Sequence, residues 1–460
     1  MPDTRPLAPA AIMRSGMCIG CGSCGADAGR SMTWNDDGLR EPQGALTVAT
    51  PAFARTCPFS PAARDEDAIA AARFPAAPVV DPRIGRFETA HVGHVAEGGF
   101  RAGGSSGGMV SWVASELLRT GAIDGVAHVV PADGQDGIFF RYAISRDGEQ
   151  IVRGARSRYF PVDMSDILQE IRAVPGRYAI VGVPCFMKAI NLLRAEDPVI
   201  GERVTHLLGL FCGHMKSAAF VDSFAWQLDA PPAEIRAVEY RRKDAGRPAN
   251  WYTAQLTLAD GSVRDRDWWH LADGDWGAGF FQASACNWCD DVVAETADIA
   301  FGDAWVEPYS SDGRGTNVVI VRSPELRDMV SGAVEHGRLT LETVDADFIA
   351  DTQAAGFRQR REGLAYRLTW RRRGLIPRKR VAPGAGDLPW RRRLIYRARF
   401  AIARWSHRMA RLARATGRPR LYVVWAGAAL SVYQGLIYHR GWTGRLFDRI
   451  EAWTTRQRGS

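Results

Sequence analysis

The chain has 460 residues, 46% hydrophobic and 24% charged, a balance that excludes a disordered or collagen-like polymer. Its net charge of +8 is uneven: residues 367–460 hold 23 Lys and Arg against 3 Asp and Glu, whereas residues 1–366 hold 36 against 48. With no secretory leader and no uninterrupted apolar run of roughly 18–20 residues, the sequence predicts a cytoplasmic protein with an acidic body and an appended basic segment.

Residues 1–75 are rich in glycine, proline and alanine and lack a long apolar period, which predicts a loop-rich module organised by cysteines. Residues 76–90 read as a linker. From residue 91 short apolar runs alternate with amphipathic ones. HVGHVAE, GVAHVVP, YAIVGVP, VTHLLGLFC, ADIAFGDAW and NVVIVRS read as strands, and GGMVSWVASELLRTG, FMKAINLLRAE, SAAFVDSFAWQL and PELRDMVSGAVEHG as helices. Residues 233–265 read as β-hairpin. The interleaving predicts an α/β core with a mainly parallel sheet over 91–365, followed by an Arg-rich helical tail over 366–460.

Eight cysteines carry the strongest chemical signal. Cys18, Cys21 and Cys24 stand in a C-x2-C-x2-C loop with Gly20, Gly22 and Gly25 between and beside them, and Cys57 lies in a Cys-Pro pair. Three thiolates wrapped by one short loop and a fourth from a separate turn is the ligand pattern of a 4Fe-4S cluster. The fourth cysteine lies further off than in bacterial ferredoxins, and structural zinc is the competing reading. Cys185 and Cys212 each follow a predicted strand, and Cys286 and Cys289 form a C-x2-C loop. Ligands gather at the carboxyl ends of strands in open α/β sheets, so these four predict a second 4Fe-4S cluster. Buried structural thiols or a redox dithiol are the alternatives.

Gly103, Gly104, Ser105, Ser106, Gly107 and Gly108 precede a predicted helix. Small residues before free helical N–H groups suit a phosphate or a planar ring, and equally a bland turn. His214, two residues after Cys212, is a candidate proton donor; a lone histidine is as easily structural.

Together the motifs CIGCGSC, TCP, GGSSGGMVSWVASELLRTGAIDGV, SRYFPVD, GVPCFMKAINLL, GLFCGH and CNWCDDVVAETADIAFGDAW, followed by GTNVVIVRS, resemble those of the coenzyme F420 hydrogenase/dehydrogenase beta-subunit family. That family includes 7-hydroxymethyl chlorophyll a reductase and ferredoxin-dependent divinyl chlorophyllide reductase. The resemblance runs from Cys18 to about residue 350. It implies FAD at the Gly-Ser turn, a cluster on the later four cysteines close to the flavin, and site roles for the loops carrying Asp303 and Asn317. It further implies electron flow from a ferredoxin-like donor through the clusters to FAD and an organic substrate, or use of the deazaflavin as a beta-type subunit within a complex. A zinc-stabilised nucleic-acid-binding protein is the reading from another class, but no recognition motif accompanies the charge. For the tail, Leu394, Ile395, Ala398, Ala401, Ile402 and Trp405 make an apolar stripe among arginines, predicting peripheral contact with an anionic membrane at its inner face or with an acidic partner, or else packing on the acidic core.

Overall fold

Short runs that are apolar throughout, such as residues 178–182 and 318–321, suit strands covered on both faces. In the computed structural model, which describes residues 5–26, 30–371, 374–386 and 388–458, they lie inside one eight-stranded sheet. Arg372 and Arg373 of the tail lie outside the described residues.

The strands are β1 (Thr89–Val95), β2 (Gly125–Pro131), β3 (Phe140–Ser145), β4 (Tyr178–Gly182), β5 (Val204–Leu210), β6 (Ile299–Asp303), β7 (Asn317–Val321) and β8 (Leu339–Thr343). Their order is β8-β1-β7-β6-β5-β4-β2-β3. β2, β4, β5 and β6 pair in parallel and form the heart of the α/β core. The flanks are antiparallel, β3 on one side and β7, β1 and β8 on the other. Connection length explains the split. The β4–β5 link carries two helices, Pro184–Glu196 and Pro198–Arg203, whereas β2 turns back into β3 and β6 into β7 through links that hold no α-helix, and both pairs are antiparallel.

Alternation along the strands makes two cores. Ala179, Val181 and Leu208 face the helices Met109–Arg119 and Pro324–Glu335, packing with Trp112, Val113 and Val330. Tyr178, Ile180 and Leu207 face the helix Pro184–Glu196 and the cysteine-rich N-terminal module, so Cys21 and Cys286 share one apolar cluster with Met187 and Trp288.

Residues 76–90 are more than a connection. Val79–Asp81 and Gly85–Phe87 pair as a small hairpin whose turn is held by Asp81, and Ile84 and Phe87 are buried against Val292 and Val293. A three-stranded antiparallel sheet, Ile235–Arg242, Thr253–Leu258 and Val263–Asp267, stands beside the core. The tail forms helices Trp390–Thr416, Pro419–Tyr438 and Gly441–Arg458. Ile395, Ile402, Tyr422 and Tyr433 pack with that sheet and with helix Ala219–Gln227, while Leu394 and Trp405 of the same stripe face outward. Arg392, Arg411 and Arg414 pair with Glu362, Asp37 and Asp222 of the acidic body.

Candidate functional site

Helix Pro9–Arg14 delivers the chain into the first cysteine loop. Gly20 and Gly22 have φ of +69° and +80°, and a Cβ at Gly20 would stand 2.4 Å from the Arg40 carbonyl oxygen. The loop therefore turns where only glycine turns freely and passes where only glycine fits. Its Cys21 carbonyl accepts from the Met164 N–H at 3.0 Å, tying it to the core. Cys57 ends helix Pro51–Thr56, whose first turn is capped by the Thr50 hydroxyl, which accepts from the Phe53 N–H. Burial pushes the Cys18 thiol well above its ordinary value, the Gly20 backbone partly offsets this, and Cys21, Cys24 and Cys57 raise it further. These four side chains are thus neighbours, and no disulfide joins them.

The second set is assembled from distant segments. Cys185 enters helix Pro184–Glu196 just after β4, and Cys212 follows β5, the adjacent parallel strand. Cys286 and Cys289 come from a buried 3-10 turn. Burial raises the Cys185 thiol most, and Cys289, Cys212 and Cys286 add to it, followed by Cys21 of the first set. Both sets therefore lie close together. Burial also pushes Cys212 up to about 12 and Cys286 to about 11, with the Arg360 guanidinium opposing each. Arg360 donates to the carbonyls of Cys212 and Gly213 at 2.9 and 2.7 Å, and the Met215 N–H donates to the Cys286 sulfur at 3.3 Å. Among the described residues no three His, Cys, Asp or Glu side chains gather as ligands of a single metal ion.

A cavity of about 990 Å³ lies at the carboxyl ends of β4, β5 and β6. Cys212 and His214 line it on one side and Gly104, Ser105, Ser106 and Gly108 on another. Gly107 is held back by packing: a Cβ there would meet the Gly93 carbonyl oxygen at 2.7 Å. Gly108 starts helix Met109–Arg119 at φ +86°. Ser105 Oγ accepts from the Ser157 N–H at 2.8 Å, Ser106 Oγ donates to the Thr316 carbonyl, and Lys243 Nζ donates to the carbonyls of Arg101, Ser106 and Arg314. Gly103 has open space around it.

Asp303 and Asn317 also border the cavity, and each is engaged. Asp303 pairs with Arg241 at 2.8 Å, and Asn317 accepts from the Met109 N–H while donating to the Gly302 carbonyl. Asn317 thus fixes the start of the helix behind the Gly-Ser turn. His214 is fully buried and stacks on Trp276 at 4.3 Å, and neither ring nitrogen has a partner among the described residues. Burial holds its pKa well below the usual value, with Lys216, Arg399 and Arg360 adding to the effect, so the imidazole is neutral at pH 7.

The sequence reading missed the cationic side chains around this space: Arg156, Arg158, Lys216, Arg241, Arg358, Arg399 and Arg440. The run Arg241-Arg242-Lys243 in a predicted hairpin was the available signal. Burial lowers Lys216 to about 7; its ammonium lies 4.7 Å from the Trp276 ring centre and donates to the Phe280 carbonyl.

Residues 90–169 match the family model for the N-terminal part of the coenzyme F420 hydrogenase/dehydrogenase beta subunit, and residues 176–347 match the model for its C-terminal part. None of the curated proteins matches the chain. Among solved structures it is similar to a chain from the F420-reducing NiFe hydrogenase complex of Methanosarcina barkeri, in a xenon derivative. The two are 19% identical with a TM-score of 0.49, over 65% of this chain and 98% of that one.

Proposed function

Because this chain belongs to the coenzyme F420 hydrogenase/dehydrogenase beta-subunit family, an oxidoreductase-related family, we propose that it is a beta-type iron–sulfur flavoprotein subunit that exchanges electrons between a partner protein and an organic hydride carrier. The observation that carries this reading is the neighbourhood of two cysteine quartets, one of them bordering the large cavity. Neighbouring thiols such as Cys18 and Cys185, whose ionisation burial and the other cysteines oppose, become thiolates readily only beside a cation, and thiolates are the soft donors an iron centre takes. Cys18, Cys21, Cys24 and Cys57 would hold one 4Fe-4S cluster, and Cys185, Cys212, Cys286 and Cys289 the other.

FAD, when bound, links one-electron transfer to two-electron hydride chemistry. The turn from Gly104 to Gly108 and the free N–H groups of helix Met109–Arg119 suit its phosphates, with Lys243 bracing the turn from behind. The neutral His214 can offer an N–H to the ring or to the substrate, held in plane by Trp276. The cationic surround favours an anionic substrate, which suits a deazaflavin of the coenzyme F420 class. Electrons would enter or leave at the N-terminal module, where a ferredoxin-like protein or another subunit docks.

Anaerobic purification tests this directly: the expected protein is brown, with iron, sulfide and flavin in fixed ratio. Cys21→Ser should remove about half of the iron, as loss of one of two cubanes requires. A colourless protein containing zinc would overturn the reading in favour of a structural metal. Bleaching of coenzyme F420 or its recovery, compared with oxidation of reduced ferredoxin, then separates the two directions of use.

A further inference from the structure

The three tail helices have unlike sides. On the inside of Pro419–Tyr438, Tyr422 donates to Asp273 at 2.7 Å and Tyr433 to the Gly277 carbonyl at 2.6 Å. On the outside, Leu421, Val424 and Val432 recur at helical spacing, and Val424 is 72% exposed. Trp442, 66% exposed, begins the same pattern on Gly441–Arg458, continued by Leu446 and Ile450. We propose that this outer side docks on the surface of an anionic lipid bilayer, lying in the headgroup layer without crossing it.

Charge selects the occupant. Pro419–Tyr438 contains no acidic residue, and the acids of the last helix are turned away: Asp448 and Glu451 hold Arg391 at 2.7 and 3.0 Å. Arg418, Arg420, Arg445 and Arg449 are exposed and pair with no acid among the described residues. Apolar side chains flanked by unpaired arginines, with Tyr438 and Trp442 at the junction of two helices, are the chemistry of an interfacial helix. The remainder of the charge orients the molecule. Part of the 20-charge excess of residues 367–460 is held by acids of the body, as at Lys379, Arg380, Arg392, Arg411 and Arg414; the exposed remainder, set against an excess of 12 negative charges in the rest of the chain, steers the tail toward an anionic surface. The packing sets this helix against the protein body. Pro419–Tyr438 has the length to cross a membrane and a mean hydropathy of 1.3, yet Tyr422, Ala426, Tyr433 and Leu436 are buried in protein.

Sedimentation of the full chain with vesicles tests the proposal without reference to its redox chemistry. The protein should pellet with vesicles of phosphatidylcholine and phosphatidylglycerol at low salt, release at high salt, and stay in solution with phosphatidylcholine alone. Arg445→Gln with Arg449→Gln should weaken binding by about thirty-fold, given the usual contribution of each basic side chain at an anionic surface. Val424→Asp with Trp442→Asp should abolish it, with thermal unfolding confirming that these exposed positions leave the fold intact. Failure to pellet with anionic vesicles, binding unchanged in the arginine variant, or a self-association that Val424→Asp and Trp442→Asp dissolve would each overturn the proposal; the last would assign the face to a protein contact.

Discussion

Cys18, Cys21 and Cys24 are placed by a single glycine-bearing loop, whereas Cys185, Cys212, Cys286 and Cys289 come from two neighbouring strand ends and a remote turn. Three of the four in the first set depend on what the backbone can do over a few residues, with Cys57 supplied by the end of helix Pro51–Thr56. The second depends on everything that brings β4, β5 and the 284–289 turn to one place, including side chains from the end of the chain. Arg360 holds the carbonyls after β5, Arg367 donates to the carbonyls of Asn287 and Gln359, and Lys379 and Arg380 reach Asp290 beside Cys289. A local motif is robust to changes elsewhere; a composite one reports on the whole fold.

Three substitutions press on that difference. Asp290→Ala should have the largest effect, because it leaves Lys379 buried without its partner, and removing one member of a buried ion pair costs about 3–5 kcal/mol. Denaturant unfolding should show that loss, with iron falling by the share of the second set while the first keeps its own. Equal loss from both sets would erase the distinction. Gly20→Ala should cost about 2 kcal/mol, since it adds a Cβ at positive φ against the Arg40 carbonyl. Its iron loss should be confined to the first set, and flavin content should not change. The smallest effect is a slope. Lys216 is lowered to about 7 from 10.5 by burial, so between these values the unfolded chain binds the proton that the folded chain has released. Stability therefore rises with pH across that window, by up to about 1.4 kcal/mol per pH unit, and is lost again as pH falls toward 7. Lys216→Met should flatten that part of the unfolding profile; an unchanged slope would show that Lys216 keeps its proton beside Trp276.

The same contrast explains what the sequence revealed. C-x2-C-x2-C and its glycines are local, so their geometry can be read from spacing. The apolar runs of β4, β5 and β7 are equally legible, because strands buried on both faces need no alternation. β3 and β8 escaped notice: Arg141 and Glu342 interrupt runs that lie at the two edges of the sheet, where one face is wet. Residues 76–90 were read as a linker because Ile84 and Phe87 are isolated apolar residues whose pocket is made by Val292 and Val293, far along the chain. Arg360 and Arg367 carry no signature, since their importance is defined by the groups they meet, and Asp290, though inside a quoted motif, shows its role only through Lys379 and Arg380. In the tail, periodicity announced an apolar stripe but not its cover: Ile395 and Ile402 went inward, Leu394 and Trp405 did not. Two of the six stripe positions are core, Ala398 is half-buried, and Leu394, Ala401 and Trp405 are exposed.

Pro419–Tyr438 is bounded by Gly417 and His439, both with left-handed backbone, at φ of +63° and +56°. Its Leu430, Gln434 and Tyr438 form part of the cavity wall, and its Val424 and Val432 form part of the exterior. The helix is therefore a shared partition between the chamber and the world outside, with a joint at each end. The inner and outer side chains thus ride on one continuous helix, so the chamber wall and the outer face are a single structural element.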